Sequence, residues 1–203
     1  MTVTLSDILS DTLSPLLSLS AFILAGALSW TLSEYVLHRY IGHSKSPLGG
    51  FTHEHRAHHK SGDYFMPILK KVFVSVKVIA PLCLISMWLL GGLEGGCFTA
   101  GFTAMFICYE ILHKRAHTHA PLNAYGRWLR RHHFTHHFSA PRKNFGVTTP
   151  LWDLVFRTYQ PASQIRLPAK KAMIWLIDPQ TQEILPKFQA DYQLRGVRSA
   201  LRA

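Results

Sequence analysis

Three long apolar segments constrain the fold of this chain more than any other feature of its sequence. They run from Pro15 to Leu37, from Lys71 to Gly91 and from Gly95 to Leu112. A helix of about 20 apolar residues crosses the hydrocarbon core of a bilayer, and each segment is close to that length. Charged residues make up only 16% of the 203 residues, against roughly 25% in soluble domains. We therefore predict an all-α integral membrane protein with about three to four transmembrane helices, the count depending on whether the first segment crosses once or forms a re-entrant hairpin.

Lysine and arginine are distributed unevenly around these segments. Neither residue precedes the first segment, and neither occurs in the turn from Gly91 to Gly96, whereas the other connections are basic. Because basic connections stay on the cytoplasmic side of a membrane, we predict that they face the cytoplasm, at the inner membrane in a bacterium or the endoplasmic reticulum in a eukaryote. The net charge of +11 follows from this topology, so no nucleic-acid partner is expected.

Ten of the 13 histidines form four clusters, each at the end of an apolar segment or in a basic connection. The ten are His38, His43, His55, His58, His59, His113, His117, His133, His136 and His137. In the triplets that begin at His55 and His133, positions i, i+3 and i+4 share one helix face, so three imidazoles are expected to point into one small volume. The pair His38 and His43 lies roughly 140° apart on a regular helix, and Gly42 offers a place for the chain to bend.

The histidine clusters predict a metal site. Histidine is the commonest metal ligand, and ten imidazoles are too many for one ion of about four to six ligands but suit two. Cys83, Cys97 and Cys108 lie in apolar segments away from the clusters, which argues against iron–sulfur and zinc–thiolate sites. The chemistry of the imidazoles alone leaves zinc, iron and copper open.

Three acidic residues are candidates for orienting the ligands. Glu34 lies four residues before His38, and Glu110 three residues before His113. These spacings place each carboxylate on the helix face of its histidine, where it is expected to accept a ring N–H. Asp153 is the third acidic candidate. The remaining histidines, His53, His119 and His132, are expected beside the ligands or at the surface, and we predict that His53 and His132 are dispensable.

The four histidine motifs and the segment after them resemble the fatty acid hydroxylase/sterol desaturase superfamily. The matching stretches, within roughly Glu34 to Tyr159, are EYVLHRYIGH, HRAHHK, YEILHKRAH and HFTHHFSAPRKNFGVTTPLWDLVFRTY. The last is the most specific, because FGVTT-x-x-WD-x-x-F-x-T-Y carries no generic metal spacing. The chain looks most like the fatty acid 2-hydroxylase branch without its fused cytochrome b5 domain, and Glu110 after Tyr109 matches an acidic residue usual in that branch.

This resemblance implies an activity and an organisation. The whole chain, 1–203, is expected to be one membrane hydroxylase domain with a core at 15–160 and a basic cytoplasmic tail at 161–203. A cytoplasmic, His-rich helical cap would hold two iron ions, which zinc can replace. The enzyme would use O2 to insert a hydroxyl group into a C–H bond of a fatty acyl membrane lipid, at C2. Electrons would come from a separate cytochrome b5-like or ferredoxin-type donor.

Two other interpretations stay open at this point. A carotenoid or sterol hydroxylase or desaturase of the same superfamily would share the histidine spacing. A protein of a different class, a non-redox zinc-binding membrane protein, would also need clustered imidazoles. Transporters usually place their ligands near the middle of the spans, whereas these histidines lie at or beyond the span ends. The sequence leaves open the lipid, the position oxidised, the electron donor and the oligomeric state.

Overall fold

The computed structural model describes residues 5–45 and 49–195, with side chains from residue 13 onward. This part of the chain is mostly helical and ends in a small parallel sheet. Its elements are α1 (Leu5–Val36), a π-helical turn (Leu37–Gly42), α2 (Gly50–Ser61), α3 (Ile68–Leu90), α4 (Gly92–Thr118), α5 (Ala124–Phe138), α6 (Leu151–Val155), β1 (Ile165–Pro168), two short 3-10 turns (Ala169–Lys171 and Pro186–Phe188) and β2 (Tyr192–Arg195).

Three helical segments in the described residues are long and apolar enough to cross a membrane. They are Leu13–Gly42, Ile68–Leu90 and Gly92–Thr118. The helical membrane fold predicted from the sequence is therefore confirmed. The third segment extends beyond its predicted end at Leu112, because Lys114, Arg115 and Ala116 favour a helix and no glycine or proline interrupts it before Thr118. This extension carries His113 and His117 on α4.

Contacts divide the chain into two compact units, and the first comprises Met1–Ser33 and Met66–Cys108. Small residues allow its helices to approach closely. A Cβ atom at Gly26 would lie 1.9 Å from the carbonyl oxygen of Phe98, and one at Gly101 would lie 1.9 Å from that of Ile23. Such glycine contacts let helix backbones touch, as membrane helices commonly do. Nearby, Trp30 packs edge-on against Phe102 with ring centroids 5.3 Å apart.

The outer surface of this unit is apolar. Leu17, Leu24, Leu84 and Trp88 are each at least 69% exposed. The exposure of many large apolar side chains is unfavourable in water, and lipid would cover them. The exposure pattern therefore agrees with the membrane fold.

The second unit comprises Glu34–Phe65 and Tyr109–Ala203, and it contains all ten clustered histidines. One of its hydrophobic cores joins Phe134 of α5 to the C-terminal segment. The buried members of this core are Phe134, Ile165, Leu167, Met173, Leu176, Ile184, Phe188 and Tyr192. β1 and β2 pair in parallel, with Ile165 opposite Tyr192.

The segment from residue 161 onward, predicted to be a basic tail, contributes to this core in its described part. Its basic residues alternate with apolar residues that are buried, such as Leu167 and Leu176, each 0% exposed. A segment that buries this much apolar surface gains enough free energy to fold. It forms a layer over α5.

Candidate metal centre

The ten clustered histidines converge, and their ring nitrogens form two groups of five. Within each group, one nitrogen from every residue lies within 4.8 Å of all the others. Group A consists of His38, His43, His55, His59 and His136. Group B consists of His58, His113, His117, His133 and His137. Each group could hold a metal ion, because neutral imidazole nitrogens are ligands for several transition metals.

Each histidine triplet divides between the two groups, which corrects the prediction that its members point into one volume. In α2, His55 and His59 belong to group A and the middle residue, His58, to group B. In α5 the division is reversed: His133 and His137 belong to group B and His136 to group A. On an α-helix, positions i and i+4 differ by about 40° and positions i and i+3 by about 60° in the opposite sense. The outer pair therefore stays together while the middle side chain diverges.

The two groups share one design. Each contains two histidines at the end of a membrane-spanning segment. Each also contains the outer i, i+4 pair of one triplet and the middle histidine of the other triplet. Where the groups adjoin, the rings of His59 and His137 stack in parallel, with centroids 4.0 Å apart and planes 10° apart. This stack joins one member of group A to one member of group B.

A π-helical turn brings His38 and His43 together. The N–H of His43 donates to the carbonyl of His38 at 3.3 Å, the i to i+5 bond of a π-helix. Residues five apart then lie nearly above one another, so the Nε2 atoms of both reach that of His136, at 3.0 and 2.9 Å. The predicted bend near Gly42 is thus a widened helical turn.

Gly42 is required at this turn by the ring beside it. A Cβ atom there would lie 2.8 Å from Cδ2 of His55, inside van der Waals contact. The side chain of any other residue would displace the His55 ring from group A. The sequence predicted a bend at Gly42. In the structure this glycine also leaves room for the His55 ring.

Backbone carbonyls fix the protonation of three of these rings. His38 Nδ1 lies 2.5 Å from the carbonyl oxygen of Phe145, His136 Nδ1 lies 2.8 Å from that of Lys143, and His58 Nδ1 lies 2.9 Å from that of Tyr64. A carbonyl oxygen can only accept, so each Nδ1 carries the proton and each neutral ring presents the lone pair of Nε2. This is the tautomer that binds a metal through Nε2.

The contacts between ring nitrogens fit a metal ion better than hydrogen bonds. His38 and His136 both present Nε2 lone pairs, yet these two atoms are 3.0 Å apart. Two acceptors repel at that distance unless a cation lies between them. Two nitrogens each about 2.1 Å from one ion would be about 3.0 Å apart at a right angle and about 4.2 Å apart across it. In group B, Nε2 of His58 lies 3.0 Å from that of His113, and Nε2 of His117 lies 2.9 Å from that of His133.

Burial keeps the imidazoles neutral, as metal ligation requires. Burial lowers the pKa of His58 to about 4 and that of His59 to about 2. For the same reason the pKa values of His133, His136 and His137 lie well below the usual value for histidine. Among the described residues, Nε2 of His137 is buried without a hydrogen-bond partner. An orphaned, neutral nitrogen in group B is typical of a position that ligates an ion.

The fatty acid hydroxylase family model matches residues 23–158 of this chain. The chain belongs to the fatty acid hydroxylase family. The match spans the four histidine motifs and the FGVTT segment, and so it contains every member of groups A and B. The resemblance seen in the sequence is confirmed.

Several members of the fatty acid hydroxylase family resemble the chain. It is 33% identical to a dihydroceramide fatty acyl 2-hydroxylase of Arabidopsis thaliana, over 67% of this chain and 59% of that protein. It is 32% identical to the fatty acid 2-hydroxylase of Homo sapiens, over 67% of this chain and 38% of that protein. These relatives place it in the 2-hydroxylase branch, although it spans less than two thirds of their length.

A solved structure of the family has the same fold. Full-length scs7p, of which only the hydroxylase domain is visible, matches with a TM-score of 0.62 and 29% identity, covering 76% of this chain and 61% of that one.

The predicted acidic residues occupy different positions from those expected. Glu34 accepts hydrogen bonds from the backbone N–H groups of Val147 and Thr148 instead of from a ring nitrogen. Asp153 faces Nε2 of His132 at 3.2 Å, and His132 belongs to neither group. Glu110 lies on α4 with its side chain half-buried. Glu34 and Asp153 therefore act on the chain around the fatty acid hydroxylase motif FGVTT and do not contact the clustered rings directly.

The structure adds residues that the sequence did not predict. The carbonyl groups of Tyr64, Lys143 and Phe145 orient three rings, and a backbone carbonyl leaves no signal in a sequence. Glu54, which directly precedes the second histidine motif, accepts from the hydroxyl of Tyr64 at 2.5 Å. Of the remaining histidines, His53 and His119 are exposed, whereas His132 is only 2% exposed.

Proposed function

We propose that this chain is an O2-dependent di-iron hydroxylase that places a hydroxyl group at C2 of a fatty acyl membrane lipid. The observation that carries the proposal is the pair of five-histidine groups in a chain of the fatty acid hydroxylase family. The activities for which the relatives are named, fatty acid and dihydroceramide acyl 2-hydroxylation, support the lipid and the position.

The donor set fits iron, and the reaction requires a redox metal. Imidazole nitrogens suit iron, zinc and copper, but zinc has no redox chemistry. Two bound iron ions would supply the electron transfer and O2 chemistry that C–H hydroxylation needs. Zinc binds such sites more tightly than ferrous iron, so we expect zinc to replace iron in overexpressed protein.

The protein contributes position, proton placement and exclusion of water. The ten histidines would hold the two ions, and the carbonyls of Phe145, Lys143 and Tyr64 keep Nδ1 protonated and Nε2 free on three of them. His133 and His136 are at most 1% exposed, which keeps bulk water from the inner side of the groups. The stacked rings of His59 and His137 hold the two groups side by side.

The overall reaction also defines a partner. Conversion of R–H and O2 to R–OH and water consumes two electrons and two protons. We propose that a separate cytochrome b5-like or ferredoxin-type protein delivers the electrons. We place both groups on the cytoplasmic side of the membrane, because lysine and arginine accompany every histidine cluster and avoid the turn at Gly91–Gly96.

Lipid analysis under isotopically labelled oxygen tests this proposal. Cells expressing the chain under 18O2 should contain acyl lipids with one 18O atom at C2, and His133→Ala should abolish this product. His53→Ala, a change at an exposed histidine outside both groups, is the matched control and should retain it. Labelled product at a carotenoid or sterol would reassign the substrate, and hydroxyl oxygen derived from water would overturn the proposed reaction.

A further inference from the structure

Two buried carboxylates, those of Asp153 and Glu34, accept the backbone hydrogen bonds of the loop Phe145–Thr148. Asp153 accepts from the backbone N–H groups of Phe145 at 2.9 Å and Gly146 at 2.8 Å. Glu34 accepts from the next two N–H groups, those of Val147 and Thr148. Four consecutive backbone donors are thus satisfied by two side chains, and the path of the loop follows the positions of those carboxylates.

The carboxylate of Asp153 has every acceptor site filled. Besides the two backbone groups, Oδ1 accepts from the hydroxyl of Thr158 at 2.7 Å, and Oδ2 lies 3.2 Å from Nε2 of His132. Asp153 is 0% exposed, so no water competes for these positions. Burial alone would raise its pKa, but the hydrogen bonds from His132, Thr158 and the loop outweigh that effect and lower it. Asp153 is therefore an ionised anchor with four fixed partners.

Among the described residues, the hydrogen bonds from this loop and the residues just before it to the clustered rings go to group A. The carbonyl of Phe145, whose N–H is held by Asp153, accepts from Nδ1 of His38 in group A. The carbonyl of Lys143, in the same connection, accepts from Nδ1 of His136, also in group A. In group B, the ring of His58 is oriented by a carbonyl outside this loop, that of Tyr64.

The backbone of this loop is packed closely around its anchor. A Cβ atom at Gly146 would lie 2.2 Å from the carbonyl oxygen of Thr149 and 3.2 Å from Oδ2 of Asp153. The backbone is therefore packed tightly against both the carboxylate and the following turn. A change in the anchor moves the Phe145 carbonyl, and with it the ring of His38.

We propose that Asp153 is a positioning residue for the ion of group A alone, acting through the Phe145 carbonyl and the His38 ring. This inference rests on the proposed two-ion site and adds that the two ions have separate supports. Asparagine at position 153 would turn an N–H group towards donors that now face a carboxylate oxygen. The loop would shift, and group A would lose its affinity while group B kept its own.

Zinc binding by the purified full-length chain tests the proposal without using activity. Wild type, dialysed against a competing chelator and counted by elemental analysis, should hold about two zinc ions per folded chain. Asp153→Asn should hold about one. Adding His43→Ala, a second change in group A, should leave that ion in place, whereas adding His117→Ala in group B should remove it. A wild-type count of about one or fewer would instead refute the two-ion site itself.

Two further variants separate positioning from a general loss of structure. Asp178→Asn is the control and should keep two ions. Asp178 also accepts from two backbone N–H groups, those of Gln180 and Thr181, but it lies in a turn outside both groups. Thr158→Val removes one of the four donors and is the gentler test if Asp153→Asn does not fold. It should weaken the group A zinc site by up to about 10-fold, the low end of the usual effect of losing a residue that orients a ligand, because Thr158 contacts Asp153 and not a ring. Two sites of unchanged affinity, or two sites weakened equally, would overturn the proposal.

Discussion

His132 shows how the neighbours of a residue, and not its spacing in the sequence, determine whether its ring is buried. It stands beside the triplet of α5, but it lies roughly 100° around the helix from His133 and belongs to neither group. Its ring is nonetheless buried, stacked between Trp128 and Tyr159 with centroids 5.1 and 5.7 Å away, and it faces Asp153. The spacing of the sequence placed His132 off the ligand face, in agreement with its place outside both groups, but gave no sign that its ring is buried.

The prediction that His132 is dispensable for activity stays a prediction, and the burial of its ring adds a second prediction about stability. His132→Ala removes a buried partner of a carboxylate, so it should lower the free energy of unfolding by about 1–3 kcal/mol. His53→Ala, at an exposed site, should change it by less than about 0.5 kcal/mol. Denaturant unfolding of the two variants in detergent provides the comparison, and equal stabilities would contradict the structural role of His132.

At the scale of elements, the long helices were predictable and the C-terminal segment was not. Apolar length alone located the three spans, and the triplet of α5 lies on a helix as expected. The C-terminal segment has short strands and turns, whose apolar residues show no long period. Its contacts are distant in sequence: Lys171 donates to the carbonyl of His59 at 2.9 Å, and Trp175 donates to that of His117 at 3.2 Å. It thereby joins helices that carry members of both groups.

The packing of the C-terminal segment predicts which of its side chains contribute to stability. Leu167→Ala and Leu176→Ala each remove a fully buried side chain and should lower the free energy of unfolding by about 2–5 kcal/mol. Ile174→Ala, in the same segment but with a side chain that is 82% exposed, is the matched control and should have little effect. Equal behaviour of the three variants in denaturant unfolding would mean that the segment does not pack as described.

At the scale of the whole molecule, the buried imidazoles couple folding to pH. An unfolded histidine has a pKa of about 6.5, whereas burial lowers the pKa of His58 to about 4 and that of His59 to about 2 in the folded chain. Below pH 6.5 the unfolded state binds more protons, so stability is fully present above that pH and decreases as the pH falls towards 4. Each such histidine contributes about 1.4 kcal/mol per pH unit within this window.

The melting temperature of the metal-free protein should therefore fall steeply between pH 7 and pH 5. Bound metal should shift this loss to lower pH, because protons then compete with the ion for the same nitrogens. Thermal unfolding in detergent, with and without zinc, measures both effects. A melting temperature that is constant or rises on acidification would show that the rings take up protons in the folded state at least as readily as in the unfolded state.

The division of each triplet between two ions is the central claim, and counting ions in two double variants tests it most directly. His55→Ala with His58→Ala changes one triplet but both groups, so after dialysis against a chelator this protein should hold almost no zinc. His55→Ala with His136→Ala changes both triplets but only group A, so this protein should hold about one zinc ion per chain. If each triplet formed its own site, the counts would be reversed, and that result would contradict the assignment of the ten histidines to groups A and B.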